Sequence, residues 1–299
     1  MRGLVPVGGR ALRVVVDAAN AMAGLTVPAV FAALDVELVP LYFQLDGRFP
    51  NHPADPLDPA NLVPLQRAVV DEGADLGLAF DGDADRCFVV DERAEPVEPS
   101  LIAALIARRE LARHPGAPIV HNVVCSRVVP ETVTAAGGVP VRTPVGHSLI
   151  KAIMAEREAV FGAEHSGHYY FRDFWYADSG MLAALHVLAM LAESDQPLSS
   201  IVARHRRYVA SGEINSSVTD TAAAIRRVDR AFRESTPELA GDGVEIDHLD
   251  GLTVSSGPWW FNLRASNTEP LVRLNVEAGD REMMERVRDS VLATLRSPE

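Results

Sequence analysis

The chain of 299 residues carries a formal net charge of −13 at pH 7, which argues against nonspecific binding to nucleic acid or to an anionic membrane surface. Small anions such as sugar phosphates are not excluded, because local arginines decide whether they bind. Hydrophobic residues make up 47% of the chain and charged residues 23%, which is typical of a soluble globular protein, and the length predicts two or three domains.

The cysteines and the apolar segments predict a cytoplasmic protein. Cys87 and Cys125 are the only cysteines, too few for a disulfide framework. The N-terminus has no long apolar stretch of the kind that a secretory signal needs. The strongest apolar run, residues 181–191, is too short to span a bilayer, and we interpret it as a buried helix.

Predicted strands and helices alternate along most of the chain, which indicates two related α/β domains with parallel or mixed sheets, followed by a smaller α+β domain. We assign residues 1–95 to the first domain, 96–208 to the second and 209–299 to the third. The predicted strands are residues 12–17, 36–42, 76–80, 87–90, 118–124, 139–142, 259–263 and 271–277, and the predicted helices are residues 62–72, 100–112, 131–137, 148–157, 179–192, 221–234 and 280–295. A helical segment ending near residue 34 follows the first strand.

The loop between the third and fourth predicted strands is acidic. Asp81, Asp83 and Asp85 alternate with small residues between two apolar runs, and Arg86 follows them. Carboxylate oxygens on a short loop suit Mg²⁺, which keeps coordination positions open for phosphate oxygens. Arg86 adds a planar guanidinium for a phosphate or substrate oxygen. The loop therefore predicts phosphoryl chemistry with bound Mg²⁺.

Two other interpretations of the acidic loop remain. It could be solvated surface charge, although its apolar flanks disfavour this. It could also be a calcium-binding EF-hand, because the three aspartates and Glu92 occupy positions 1, 3, 5 and 12 of such a loop. Against the EF-hand, Arg86 stands where the turn requires glycine, and residues 88–90 have the pattern of a strand.

A second segment of interest leads into the helix predicted from residue 148, which carries Lys151 in its first turn. Gly146 lets the backbone approach a ligand, and His147 can transfer a proton near neutral pH. Taken alone, the segment is better explained as a helix cap at Ser148 beside a solvated histidine.

A third segment, residues 162–168, is a polar loop after an apolar strand. Glu164 and Ser166 would point the same way from an extended chain, where a carboxylate and a hydroxyl suit neighbouring sugar hydroxyls. His165 and His168 suggest a metal site, but the loop lacks cysteine and the usual histidine spacing. Taken alone, this loop is better explained as an ordinary turn.

The loop between the last two predicted strands contains Arg264, Ser266, Asn267 and Thr268, and Arg273 lies just beyond it. Such a loop can hold a phosphate through its side chains and backbone N–H groups. A polar hairpin turn is the alternative, since turns favour serine and asparagine. The two arginines favour the phosphate site.

Together these loops resemble those of the α-D-phosphohexomutases, the phosphomannomutase/phosphoglucomutase family. The acidic loop is similar to the family's metal loop, residues 163–168 to its sugar loop G-E-x-S-G-H, and residues 264–270 match its phosphate loop R-x-S-N-T-E-P throughout. Ala163 replaces the usual glycine, and Ala21 replaces the glycine of an Asn-Gly pair. Residues 169–175 look most like the phosphomannomutase branch.

The resemblance implies transfer of a phosphoryl group between O1 and O6 of a hexose, mannose before glucose, through an enzyme phosphoserine and a hexose 1,6-bisphosphate. It implies that the three aspartates of the acidic loop hold Mg²⁺ and that Arg86 assists the phosphoryl site. The implied roles of the other residues are sugar binding by Glu164 and Ser166, binding of the nonreacting phosphate by Arg264, Ser266, Asn267, Thr268 and Arg273, and proton transfer or phosphate contact by His147, Lys151 and His168.

One family feature is not found in this sequence. The family's catalytic serine lies in a T-A-S-H-N-P-like loop of a first domain, whereas no serine of this chain precedes His-Asn. Residues 12–24 already resemble the start of the family's second domain, so we expect the chain to match domains two to four. Two hypotheses follow: a phosphohexomutase whose serine domain is absent from this chain, or a noncatalytic sugar-phosphate-binding or regulatory paralogue. The first predicts no turnover by the chain alone and an exposed apolar face capable of self-association.

Overall fold

A computed structural model of the chain describes residues 1–234, 243–266 and 269–297. The chain forms two compact units. One contains Met1–His121, Arg127–Val141 and His147–His205, and the other contains Asn122–Ser126, Arg142–Gly146 and Arg206–Glu299. Among the described residues no helix has both the length and the apolar character that crossing a membrane requires.

The first sheet is mixed. Its strands are β1 (Leu12–Asp17), β2 (Val36–Leu41), β3 (Leu76–Phe80), β4 (Cys87–Asp91) and β5 (Pro96–Val97), in the order β2-β1-β3-β4-β5. β1 pairs in parallel with β2 and β3, whereas β4 pairs antiparallel with β3 and β5. β3 and β4 are buried along their whole length, which is typical of strands covered on both faces. Two helices accompany this sheet, α1 (Ala23–Phe31) and α2 (Pro59–Asp71).

The second sheet repeats the mixed layout. Its strands are β6 (Pro118–Asn122), β7 (Val139–Thr143), β8 (Phe161–Ala163), β9 (Tyr169–Phe171) and β10 (Ala177–Asp178), in the order β10-β9-β8-β6-β7. Its helices are α3 (Pro99–Arg113), α4 (Val128–Ala135), α5 (His147–Arg157), α6 (Gly180–Ala192) and α7 (Leu198–Ala203). α6 is the predicted buried helix, and Ser179 caps it by accepting a hydrogen bond from the Leu182 N–H.

The third sheet is antiparallel. Its strands are β11 (Val209–Ser217), β12 (Glu245–Asp247), β13 (Leu252–Ser255), β14 (Trp259–Ala265) and β15 (Leu271–Ala278), in the order β11-β15-β14-β13-β12. Helices α8 (Thr221–Glu234) and α9 (Arg281–Arg296) contribute Phe232 and Val287 to a core that contains Trp259 and Phe261. Two mixed α/β sheets followed by a smaller α+β part confirm the predicted fold class.

Several elements were not predicted from the sequence. β9 and β10 have three and two residues, too few for a pattern to be recognised. β11 is an edge strand whose residues are mostly exposed or half-buried, so its apolar signal is weak. Cys87 and Cys125 are both buried free thiols.

Candidate functional site

The acidic loop joins two antiparallel strands. Phe80 on β3 pairs with Cys87 on β4, so residues 81–86 make a tight connection. Ala84 has a φ of 63°, a left-handed conformation that helps the short loop turn. Because a strand follows the loop instead of a helix, the structure is not an EF-hand.

The three carboxylates of this loop converge. Asp81, Asp83 and Asp85 each offer one oxygen, and these atoms lie within 4.8 Å of one another. Asp81 is buried and accepts hydrogen bonds from Arg86, at 2.8 Å from Nε and 3.1 Å from the backbone N–H. The predicted metal ligands and Arg86 therefore form one cluster.

Asp85 carries the strongest sign that this cluster fits a cation. Its Oδ1 is buried and has no hydrogen-bond partner within the described part of the chain. The nearest basic atoms are His168 Nδ1 at 3.8 Å and Arg86 Nε at 3.9 Å. Burial and the neighbouring Asp81 charge raise the pKa of Asp85 to about 6. A hard cation such as Mg²⁺ would satisfy this oxygen, so the residues fit the predicted metal.

The loop that follows β8 is a compact turn, not the extended segment expected from the sequence. The Glu164 N–H donates to the His168 carbonyl at 3.0 Å, and the Gly167 N–H donates to the Glu164 carbonyl at 3.2 Å. Glu164 is buried and accepts a hydrogen bond from the Tyr170 hydroxyl at 2.7 Å, whereas Ser166 is half-buried. Glu164 and Ser166 therefore do not extend from one strand as predicted, because the chain turns between them.

The acidic loop and this turn are in direct contact. Arg86 and His168 form an isolated antiparallel β-bridge. A side chain at Gly180, the first residue of α6, would approach the Arg86 carbonyl oxygen to 2.5 Å, so glycine permits close packing there. Similarly, a side chain at Gly167 would meet the ring of Phe88 at 2.9 Å.

Asp178 joins two predicted site residues and was not itself predicted. Its Oδ1 lies 2.9 Å from Lys151 Nζ, and its Oδ2 lies 3.1 Å from His168 Nδ1. Burial would raise the pKa of Asp178, but the hydrogen bonds from His168 and Lys151 hold that pKa well below its usual range. The only sequence signal was its position just before the capped, apolar helix α6.

His147 is not brought into this group. It is the exposed first residue of α5, so Ser148 lies inside the helix and does not cap it. Within the described residues, His147 makes no hydrogen bond or ion pair with the acidic loop, the turn after β8 or Asp178.

The predicted phosphate residues cluster around a carboxylate. Arg264 Nη2 and Arg273 Nη1 donate to the two oxygens of Glu213, at 2.9 and 3.0 Å, and Arg273 Nη2 lies 3.4 Å from Ser266 Oγ. Register explains the convergence, because Arg264 on β14 faces Arg273 on β15. Glu213, on the unpredicted strand β11, was missed. The predicted ligands Asn267 and Thr268 lie outside the described residues.

Comparison with known proteins gives three matching family models. These are phosphoglucomutase/phosphomannomutase alpha/beta/alpha domain II at residues 4–94, alpha/beta/alpha domain III at residues 98–208, and the C-terminal domain at residues 213–294. A phosphomannomutase from Salmonella montevideo is 42% identical over 293 residues, which cover 96% of this chain and 63% of the relative. The chain thus spans less than two thirds of that relative's length.

Solved structures agree. The crystal structure of a phosphoglucomutase/phosphomannomutase family protein from Burkholderia thailandensis superimposes with a TM-score of 0.88 at 33% identity, covering 98% of this chain and 62% of that one. The N-acetylphosphoglucosamine mutase of Aspergillus fumigatus, crystallised with GlcNAc-6P and magnesium, gives a TM-score of 0.68 at 16% identity, covering 98% of this chain and 67% of that one. The second likeness concerns the fold alone. Together, the three domain models and the near relatives show that this chain belongs to the α-D-phosphohexomutase family.

Proposed function

We propose that this chain is the metal-, sugar- and phosphate-binding part of a phosphohexomutase that interconverts hexose 6-phosphate and hexose 1-phosphate, with mannose preferred and glucose second. The observation that supports this best is the acidic loop, where the buried Oδ1 of Asp85 lacks a hydrogen-bond partner among the described residues and lies beside Arg86 and His168. The resemblance to phosphomannomutases supports the substrate class. We propose residues 1–95, 96–208 and 209–299 as its three domains. We also propose that the protein lies in a reducing cytoplasm, because its two buried cysteines are free thiols.

In this proposal Asp81, Asp83 and Asp85 hold Mg²⁺. When bound, the ion neutralises charge on the phosphoryl group that is transferred. Arg86, which already pairs with Asp81, adds a second positive group beside it. The charge of the transferred group is thereby balanced by fixed groups instead of water.

The remaining residues bind and orient the substrate, and they move protons. One carboxylate oxygen of Glu164 accepts a hydrogen bond from a sugar hydroxyl, while the other accepts one from the Tyr170 hydroxyl. Ser166 forms a hydrogen bond with a neighbouring sugar hydroxyl. His168 and Lys151 exchange protons with the reacting oxygens, and His147 contacts phosphate. The nonreacting phosphate binds Arg264, Ser266 and Arg273, together with Asn267 and Thr268. Arg273 fits that task, because its Nε is buried without an acceptor among the described residues.

The alternative function is binding without turnover, as in a regulatory paralogue. No serine of this chain precedes His-Asn. Because transfer through a phosphoserine needs a covalent acceptor, we expect no meaningful mutase activity from this chain alone. Incubation with mannose 1-phosphate, a hexose 1,6-bisphosphate and Mg²⁺ tests this, and turnover on the order of 1 per second or faster would contradict it.

Binding is tested by calorimetry with mannose 6-phosphate and Mg²⁺. Hydrogen bonds to a charged partner contribute about 1.5–3 kcal/mol, so Arg264→Ala should weaken binding by about 10- to 100-fold. Arg281→Ala removes an exposed arginine from the start of α9 and should leave the affinity unchanged. Equal affinities for wild type and Arg264→Ala would remove this loop from the site, and no binding by the wild type would contradict the proposed function.

A further inference from the structure

We propose that Asp178 is a positioning residue of this site, which holds the His168 ring in the Nδ1–H tautomer and fixes the Lys151 ammonium group. The inference rests on the proposed function only in giving His168 and Lys151 their task. The geometry that carries it is independent of any substrate.

Asp178 uses one carboxylate oxygen for each partner. Oδ1 lies 2.9 Å from Lys151 Nζ and Oδ2 lies 3.1 Å from His168 Nδ1, and the Asp178 side chain is 11% exposed. Its backbone is fixed as well, because β10 places it opposite Tyr170 on β9. Both oxygens of a shielded, ionised carboxylate are thereby occupied by hydrogen-bond donors of the candidate site.

This contact determines which nitrogen of His168 carries the hydrogen. An ionised carboxylate only accepts hydrogen bonds, so the ring nitrogen facing it must be the donor. In the neutral ring the lone pair then resides on Nε2, which has no hydrogen-bond partner in the described ranges. The nitrogen left to exchange a proton with a ligand is therefore Nε2.

The second oxygen confines Lys151. A lysine side chain has four rotatable bonds, and one end-on contact removes much of that freedom. Lys151 Nζ also lies 5.6 Å from the centre of the Tyr170 ring, and the Tyr170 hydroxyl donates to Glu164. Asp178 thus links both proton-bearing residues to the residues proposed to bind the sugar.

The first test is the tautomer of His168, read from two-bond ¹H–¹⁵N NMR spectra above the pKa of the ring, with His168→Gln used for assignment. We expect hydrogen on Nδ1 in the wild type and a mixed or inverted tautomer in Asp178→Asn, whose amide can turn either its N–H or its oxygen to the ring. Asp173→Asn is the control, because Asp173 is a more exposed carboxylate nearby that pairs with Arg172. It should leave the spectrum unchanged.

The second test uses the fact that Lys151 is the only lysine of the chain. Its modification by an amine-directed reagent can be followed by mass spectrometry of a single peptide. We expect modification several-fold faster in Asp178→Asn than in the wild type and in Asp173→Asn. Binding of mannose 6-phosphate is measured separately, so failure of the proposed function does not obscure either result.

Two results would overturn the proposal. One is a wild-type ring with hydrogen on Nε2, which needs no variant and decides the matter even if Asp178→Asn does not fold. The other is a folded Asp178→Asn whose tautomer and lysine modification rate both equal those of the wild type.

Discussion

At the scale of single residues, two ionisable side chains of this protein have atoms that are buried from solvent. Asp85 has a buried oxygen without a hydrogen-bond partner among the described residues, and His186 is buried in α6 against the ring of Phe171. Asp85 and His186 differ in what would stabilise them in the folded protein. Asp85 lies in a cluster of carboxylates that fits a cation, whereas His186 is stable as a neutral ring.

Replacing Asp85 with asparagine should therefore have opposite effects on stability with and without metal. Without Mg²⁺, Asp85→Asn removes a partly buried charge and should raise the free energy of unfolding by on the order of 1 kcal/mol near neutral pH, a value discounted for the third of the side chain that is exposed. With Mg²⁺, the wild type should gain about 1.4 kcal/mol at tenfold excess over the dissociation constant, and the variant much less. Thermal melting with and without MgCl₂ measures both effects. Identical Mg²⁺ responses would show that Asp85 is not a ligand.

His186 should make the protein sensitive to mild acid. Burial, followed by the positive charges of Arg109 and Arg113, lowers the pKa of His186 to about 3. Since the unfolded chain takes up this proton near pH 6.5 and the folded chain does not, stability is lost as the pH falls from 6.5 towards 3. Between pH 7 and 5 the loss from this residue should be about 2 kcal/mol.

The matching variant is His186→Leu, and the quantity to compare is the change in unfolding free energy between pH 7 and 5. Burial raises the pKa of the neighbouring Glu110, which opposes the His186 effect in the wild type and in the variant. The variant should lose about 2 kcal/mol less than the wild type. Parallel profiles of unfolding free energy against pH for the two proteins would show that His186 titrates as it does in the unfolded chain.

At the scale of elements, the site depends on how closely α6 approaches the acidic loop. The pattern of apolar residues predicted this helix, and Ser179 caps it. The contact between its first residue and the Arg86 carbonyl appears only in the folded structure. Asp178 precedes the same helix, so the packing that seats α6 also sets the carboxylate that binds Lys151 and His168.

Gly180→Ala should disrupt this contact. The new methyl group would lie 2.5 Å from a backbone oxygen, which cannot rotate away, so we expect a loss of about 1–3 kcal/mol and a weaker Mg²⁺ response. Gly82→Ala is the control within the acidic loop, because its methyl group would meet nothing closer than Ala54 at 3.9 Å. Chemical denaturation of both variants measures the difference, and equal stabilities would mean that α6 is free to shift.

At the scale of the whole molecule, exposed apolar side chains are concentrated near the N-terminal end of the chain. Among the described residues, large exposed hydrophobic side chains between positions 22 and 57 are Met22, Leu25, Leu45, Phe49 and Leu57. Two segments that carry them touch, since a side chain at Gly24 would meet the Phe43 carbonyl oxygen at 2.3 Å. Where exposed apolar side chains lie together, they often form protein contact surfaces.

We therefore expect concentration-dependent self-association, measurable by sedimentation velocity, together with binding of a hydrophobic dye. Leu25→Glu should weaken association by about tenfold or more, because burying a leucine contributes about 1.5–3 kcal/mol. Leu249→Glu changes an exposed leucine of the C-terminal part and should have no effect. A monodisperse monomer that binds no dye would contradict the expectation.

The sequence by itself determined the fold class and the location of most candidate site segments. Local spacing was sufficient for this, because three aspartates between two apolar runs, or arginines beside a Ser-Asn-Thr loop, lie within a few residues of one another. Only the tertiary structure decided which side chains meet. Packing of α5 against the second sheet brings Lys151 to Asp178, whose other oxygen contacts His168. Strand pairing brings Glu213 to Arg264 and Arg273, and a turn buries Glu164 against Tyr170. The ion pairs of Lys151 with Asp178 and of Glu213 with the two arginines join residues far apart in the chain. The geometry of all these contacts depends on register and close packing, which no local pattern encodes.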